Sequence, residues 1–514
     1  MKSNTLPAFV LQPIFPGLDT LEDMIFWRHY NENLSNLLTV EGETNNGFTD
    51  IIVPIAVNHQ GLMHSILSLA SKHIDFDTPY GLRILQDHPT TSLEALRERS
   101  LYHSELARVK FHQKKNQSLE RADDIATTAS LGQMLCFLLE TLVEGNPHGD
   151  HRVHLRGYRN LMNYFKPVDT PFFAFIAEFF EYHIFADELL HSGPDQLPPL
   201  KVPLPLPDRQ RLLGVVDGLF EYFSEISRIR NTIKSNMIAQ IDPAVTYASL
   251  YRASEIDLAV REWSPNVSTS DCRIRVATLY KKMVWIYLVR TIYPPSSSSA
   301  SSSMASSVSS LSFIHSSPVH ARSVSSVVNT PPHSASTSCA SSPKPTLGWP
   351  NPSPGSSSHN GRQSNPQANP PSRKNSTAGT LTLANNSIQA ACSAIRLESP
   401  PPIRRPPHNE HDTRIIHNVD EALEILETFK PSDPSQTLLL LPCFVVGTAC
   451  FVPAQQDKIR TAIKNYKGYS GLRNADLVMT VLEELWRLMA AGKWSAVWDW
   501  PGVAQSLGLD FIPA

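Results

Sequence analysis

Apolar residues in this chain recur at helical spacing, and strand-like alternation is nearly absent. Between 61 and 74, apolar positions 62, 66, 69 and 63, 67, 70, 74 form two adjoining stripes that predict one amphipathic helix. The segment TLED at 20–23 has the form of a capping box before MIFWRHYNENLSNLL. Asp124 stands where it would cap IATTASLGQMLCFLLETLVEG, which stops at Gly145 with Pro147 just beyond. Asp271 is placed to cap CRIRVATLYKKMVWIYLVRTIY, and Asn418 with Glu421 frames VDEALEILETF as a further capping pair. Asn474 precedes LVMTVLEELWRLM, whose apolar positions cover a wide arc, so this helix is expected between neighbours. No repeat of fixed period argues for a solenoid. The prediction is an all-α fold, a multi-helix bundle or irregular helical array.

After Tyr293 the pattern stops. Runs such as SSSSASSSMASSVSS, PPHSASTSCASSPKP and SPPPIRRPP carry too few large apolar residues to offset the entropy of ordering the chain. The organisation expected is therefore a flexible segment at 1–19 and a first helical part at 20–293. A disordered Ser/Pro-rich linker or insertion at 294–410 follows, then a second helical part at 411–514. The two helical parts are expected to dock on each other, because each alone would expose broad apolar faces.

Composition narrows the function classes. With 41% apolar residues the 514-residue chain can build a sizeable core. A formal charge of −3 gives no whole-molecule reason to bind nucleic acid or an anionic membrane. The six cysteines are scattered with no C-x-x-C pair, which argues against a disulfide framework or zinc ribbon and for reduced intracellular thiols. The N-terminus is interrupted by prolines and lacks the apolar core of a signal peptide. The best membrane candidate, 438–454, is too short for a bilayer and is broken by Pro442 and Gly447, so it reads as a buried core helix.

Candidate chemistry is sparse. His59, His64 and His73 fall five and nine residues apart without an intervening glutamate, unlike a zincin pair. His59 is placed to cap a helix, and His64 and His73 to reach solvent or a backbone carbonyl. His151 and His154 lie one turn apart and could touch one ion, but two ligands do not close a zinc site. HNEHD at 408–412 reads as linker composition. Cys443 and Cys450 sit in an apolar run that would leave them inert. Trp486, Trp494, Trp498 and Trp500 read as a packed core corner rather than a stacking platform. No nucleophile elbow or phosphate loop occurs. The expectation is no catalytic, cofactor-binding or metal residue. Ser376, three residues after Arg373, and Ser399, before proline, are candidate phosphorylation sites.

The helical blocks, in order, resemble the fungal-specific transcription factor domain, the regulatory region that follows a zinc binuclear cluster in many fungal regulators. In NGFTDIIVPIAVNHQGLMHSILSLASKHI, the residues Phe48, Pro54, Ala56, His59, Leu62, Leu67, Ala70 and His73 stand at matching places. His154, Leu155 and Gly157 match the family's His-Leu-x-Gly block. LLLLPCFVVGTACFVPAQQDKIRTAI, GLRNADLVMTVLEELWRLM and WDWPGVAQSLGLDFIP are similar to its later elements. The resemblance implies a nuclear, non-enzymatic regulator of RNA polymerase II transcription. Its partners would be the transcription machinery or co-regulators, or a second copy of itself. No cysteine-rich zinc cluster is found, so no zinc or other cofactor is expected in this chain and direct DNA contact is placed in doubt. The alternative is a non-DNA-binding helical adaptor that antagonises intact regulators by dimerisation.

Overall fold

Thr20 opens the first helix as its sequence predicts. Its hydroxyl accepts from the Asp23 N–H, and the Asp23 carboxylate accepts in return from the Thr20 N–H at 3.0 Å. The computed structural model describes residues 15–40, 46–117, 124–164, 170–191, 197, 216, 218–265, 273–295 and 413–514. Helix α1 (Leu21–His29) runs on through a π-helical turn, Tyr30–Leu34, into Ser35–Leu37. A second π-helical segment, Phe48–Ile52, leads into α2 (Val53–Asn58).

The two-stripe helix predicted over 61–74 is α3 (Gln60–His73), and every residue from Gly61 to Ser71 in it is buried. It lies between α5 (Leu93–Gln117) and α6 (Asp124–Glu144), with α4 (Pro79–Asp87) connecting α3 to α5. Two stripes rather than one are what a helix needs when it is covered on both flanks. The approach to α6 is close: a Cβ on Gly132 would stand 3.1 Å from the Leu62 methyls. Gly145, at φ +62, ends α6 in the left-handed conformation that favours glycine.

Helices α7 (His151–Tyr164) and α8 (Pro171–Leu190) follow, then α9 (Leu219–Ile238), α10 (Tyr247–Glu262) and α11 (Ile274–Ile292). The chain from 413 onward supplies α12 (Thr413–Glu427), a 3-10 turn at Pro434–Leu438, and α13 (Leu440–Gly447). It ends with α14 (Pro453–Ser470), α15 (Asn474–Ala490), α16 (Trp494–Trp498) and α17 (Trp500–Ser506). One hydrophobic core runs through helices from both sequence segments. Helix α11 packs on α9 and α10 from its own segment and on α12 and α13 from the later one. The Tyr280 hydroxyl donates to the Leu438 carbonyl at 2.9 Å, and Arg275 pairs with Asp433 at 2.9 Å. Helix α15 lies on α6, and α17 on α8. Among the described residues there is no strand, only an isolated bridge between His148 and Asp510.

Two local expectations are corrected, at Asn418–Glu421 and in the apolar run at 438–454, while Asn474 stands at the head of its helix as expected. Asn418 and Glu421 do not start a helix. Helix α12 begins at Thr413, because Ile415 extends its buried face, and Asn418 donates to the Arg414 carbonyl from within it. The Asn418 and Glu421 oxygens instead accept from the Lys282 ammonium at 3.0 and 2.5 Å. Asn474 is the first residue of α15, and its side chain donates to the carbonyls of Ile512 and Ala514. The apolar run at 438–454 is divided between the 3-10 turn and α13, all of it buried from Leu438 to Cys450. The described helix that is long and apolar enough to cross a bilayer is instead Ala126–Glu144 in α6, and 78% of that window is buried inside the fold. Asp271 and, from residue 296 onward, the linker expected at 294–410 lie outside the described residues.

Candidate functional site

The histidines of the α3 region are structural, each for a definable reason. His59 caps α3, its Nδ1 accepting from the Leu62 N–H at 3.0 Å. His73 Nε2 lies 2.8 Å from the Ser470 carbonyl, which can only accept, so Nε2 carries the proton. His73 Nδ1 then accepts from His29 Nε2 at 2.9 Å, and His29 Nδ1 accepts from the Tyr80 hydroxyl at 2.8 Å. This directed chain ties α1, α3, α4 and α14 together. Burial brings His29 down to about 3 and lowers His73, so both are neutral at pH 7.

His64 reaches neither solvent nor a backbone carbonyl, contrary to the sequence expectation, because α5 covers its face of α3. Its Nδ1 meets His103 Nδ1 at 2.9 Å, and His103 Nε2 donates to Asp23 at 2.7 Å. Arg99 grips the same carboxylate with Nε at 2.6 Å and Nη2 at 2.8 Å. The Asp–His–His order has the form of a proton relay. It ends, however, at His64 Nε2, which is buried and has no hydrogen-bond partner among the described residues, so none of these supplies a nucleophile to it.

His151 and His154, expected one turn apart on one ion, face different surroundings. The His154 ring lies against Phe137 at 5.5 Å, and burial brings it down to about 4. His151 Nε2 instead donates to Asp187 at 2.9 Å. His191 Nδ1 stands 2.8 Å from the same Asp187 oxygen, and its Nε2 is 2.8 Å from Asp510. His151, Asp187 and His191 thus offer three ligand-type atoms within 4.8 Å of one another and could hold a metal ion. The same contacts are accounted for by a proton. The carboxylates of Asp187 and Asp510 raise His191 to about 9, making it an imidazolium between them, and Arg152 stands 3.5 Å from Asp187. The cluster fastens the chain end to α7 and α8. Gly149 N–H donates to the Asp510 carbonyl and Asp510 N–H to the Pro147 carbonyl, each at 2.9 Å. Asp187 and His191 escaped sequence reasoning, since only folding brings them to His151; their i, i+4 spacing in DELLH was the available signal.

Cys136, Cys443 and Cys450 are free and buried, and burial raises all three thiols, which keeps them protonated at neutral pH. Trp486, Trp498 and Trp500 are buried, with the Trp486 indole donating to the Gly447 carbonyl. HNEHD at 408–412, Ser376 and Ser399 lie outside the described residues. The interhelical space bounded by Leu139, Phe179, Tyr182 and Tyr466 amounts to about 20 Å³, room for a water rather than an inducer.

The surface is more distinctive. Helix α10 buries Ala253, Ile256 and Val260, yet its other faces expose Tyr247 (88%), Tyr251 (70%) and Leu258 (58%), with Leu250 beside them. Ile238 and Ile241, in the approach to α10, are exposed as well. A shallow groove along this helix is lined by Tyr251, Ser254, Glu255, Asp257, Leu258 and Arg261. Ion pairs frame it, Arg252 with Glu225 and Glu255 and Arg261 with Asp257. Large exposed aromatics inside a polar rim are the composition of a protein interface.

A family model described as "Fungal specific transcription factor domain" matches residues 25–328 and 353–514. No curated protein and no solved structure matches the chain.

Proposed function

We propose, from the premise that this chain belongs to the fungal specific transcription factor domain family and is a fungal transcriptional regulator, that it works in the nucleus by binding a protein partner and not by catalysis. The exposed face of α10 supports this reading most. Tyr247, Tyr251 and Leu258, at i, i+4 and i+11, offer two aromatic anchors and one aliphatic anchor along one helix face, spaced to receive an amphipathic helix. Tyrosines of this kind supply much of an interface's affinity, and the surrounding Arg–Glu and Arg–Asp pairs supply a polar rim of both signs. The partner is accordingly a co-regulator segment with an apolar helical face.

The full chain, tethered to a foreign DNA-binding domain, should change the output of a reporter promoter. Tyr251→Ser combined with Leu258→Ser should remove most of that change while leaving the thermal midpoint intact, since neither side chain is buried. A reporter that stays silent under every growth condition would count against a regulatory role. A reporter that responds equally with the double variant would move the docking surface away from α10. Sedimentation of wild type and variant separates a second copy from a different partner, because only self-association would change the mass.

A further inference from the structure

Two arginines occupy the interior where α9 and α11 pack against the chain at 497–500. The Arg230 guanidinium, on a residue only 5% exposed, lies over the Trp500 ring at 4.0 Å and 5.1 Å from the centre of Trp498. Its Nη2 donates to the Trp498 carbonyl. Arg290 Nη2 reaches the neighbouring Val497 carbonyl at 3.4 Å, and the Trp498 indole donates to the Arg290 carbonyl at 2.9 Å. The two cations are thus held along adjacent peptide units. Burial lowers Arg230, and burial together with Arg230 lowers Arg290 to about 10, which leaves Arg290 charged at neutral pH.

Among the described residues these charges lack a matching anion. Beyond the Tyr287 hydroxyl, Asp499 is the acidic group that Arg230 feels, and its carboxylate is already taken by Lys234 at 2.8 Å. Arg230 and Lys234 therefore share one carboxylate, while the charged group that acts on Arg290 is Arg230 itself, a second cation. Moreover, Arg230 Nη1, Arg290 Nε and the Trp500 indole N–H are all buried without a hydrogen-bond partner among the described residues, as is the Thr291 hydroxyl next to Arg290. Buried polar groups are paired in the great majority of cases, and an unpaired buried charge is among the costliest arrangements a fold can hold. Donors left over on two guanidiniums and an indole describe the complement of an oxyanion, which accepts from several N–H groups at once.

We propose that this junction is a binding site for the carboxylate or phosphate group of a small anionic metabolite, held by Arg230, Arg290 and the Trp500 N–H. The ligand would bridge α9 and α11 to the segment at 497–500, joining helices that are far apart in sequence. The site stands independently of the α10 surface, so the failure of either leaves the other in place.

The test uses the full chain, titrated with inorganic phosphate or with citrate against chloride at constant ionic strength. Thermal midpoint and tryptophan fluorescence are read together, since Trp498 and Trp500 flank the site. A saturable rise with phosphate alone assigns phosphate metabolites, with citrate alone carboxylates, and with both the shared oxyanion chemistry. Arg230→Met and Arg290→Met should each weaken the saturable effect roughly tenfold or more, as expected for the loss of a charged hydrogen-bonding partner. Trp500→Phe keeps the ring, removes one donor and should weaken binding by a smaller factor; it decides the matter if the arginine variants do not fold. Curves for phosphate and citrate that superimpose on chloride would overturn the proposal. So would saturation that none of the three variants alters.

Discussion

Histidine behaviour in this protein is governed by what covers each ring. His29 is held near 3, and His64, His154 and His183 near 4, in every case chiefly by burial, which disfavours the charged form. A histidine in the unfolded chain titrates near 6.5, so its folded value is depressed. The stability these four contribute is present above about pH 6.5 and is lost as pH falls toward their folded values. Glu181, raised by burial to about 7, and Glu188, raised for the same reason, have the opposite sign, but they are two groups against these four histidines and His73, which burial also lowers. The melting midpoint should therefore drop steadily from pH 6.5 to 4.5, and His154→Gln should flatten the drop by about one proton's worth; a level midpoint across that range would refute it. At Gly149, φ is +77 and a Cβ would stand 2.3 Å from an Asp510 carboxylate oxygen. Gly149→Ala should cost about 2 kcal/mol or more in denaturant unfolding, and a neutral substitution would show that the chain end is not seated there. Chelation tests the reading of the neighbouring cluster: EDTA should leave the midpoint unchanged if His191 is bridged by a proton, and a fall would reveal a structural metal. His59 was legible because a cap is a local device three residues long. His64, His151 and the Arg230–Arg290 pair were not, because the groups that define them arrive from 36 to 268 residues away.

At the scale of elements, what the sequence made visible was periodicity, and what it hid was competition between local and distant contacts. Helices α3, α6 and α15 follow their apolar spacing because burial on two sides writes a wide stripe into the sequence. The start of α12 was misread because a capping-box pattern at Asn418 and Glu421 was outweighed by burial of Ile415 one turn earlier. Helix α10 attracted no functional reading, since YASLYRASEIDLAVRE gives no sign that its tyrosines stay uncovered. The contacts that join α11 to the later segment can be tested singly. Tyr280→Phe removes the donor to the Leu438 carbonyl, leaves a buried acceptor unsatisfied and should cost about 1 to 3 kcal/mol. An unchanged unfolding midpoint would mean that this carbonyl finds another donor.

Across the whole molecule, one core is assembled from helices on both sides of residues 296–412, and the polar bonds between them repeat at several places. Thr437 donates to the Leu37 carbonyl at 2.8 Å, His73 to that of Ser470, and Arg230 to that of Trp498. Such a body packs α10 on α9 and α11, the support that the proposed docking helix would need to bind without losing its own order. Differential scanning calorimetry of the full chain tests this most directly. The account predicts a single transition whose calorimetric and van't Hoff enthalpies agree, with Tyr280→Phe shifting it as a whole. Two separable transitions, only one of them moved by that substitution, would contradict it.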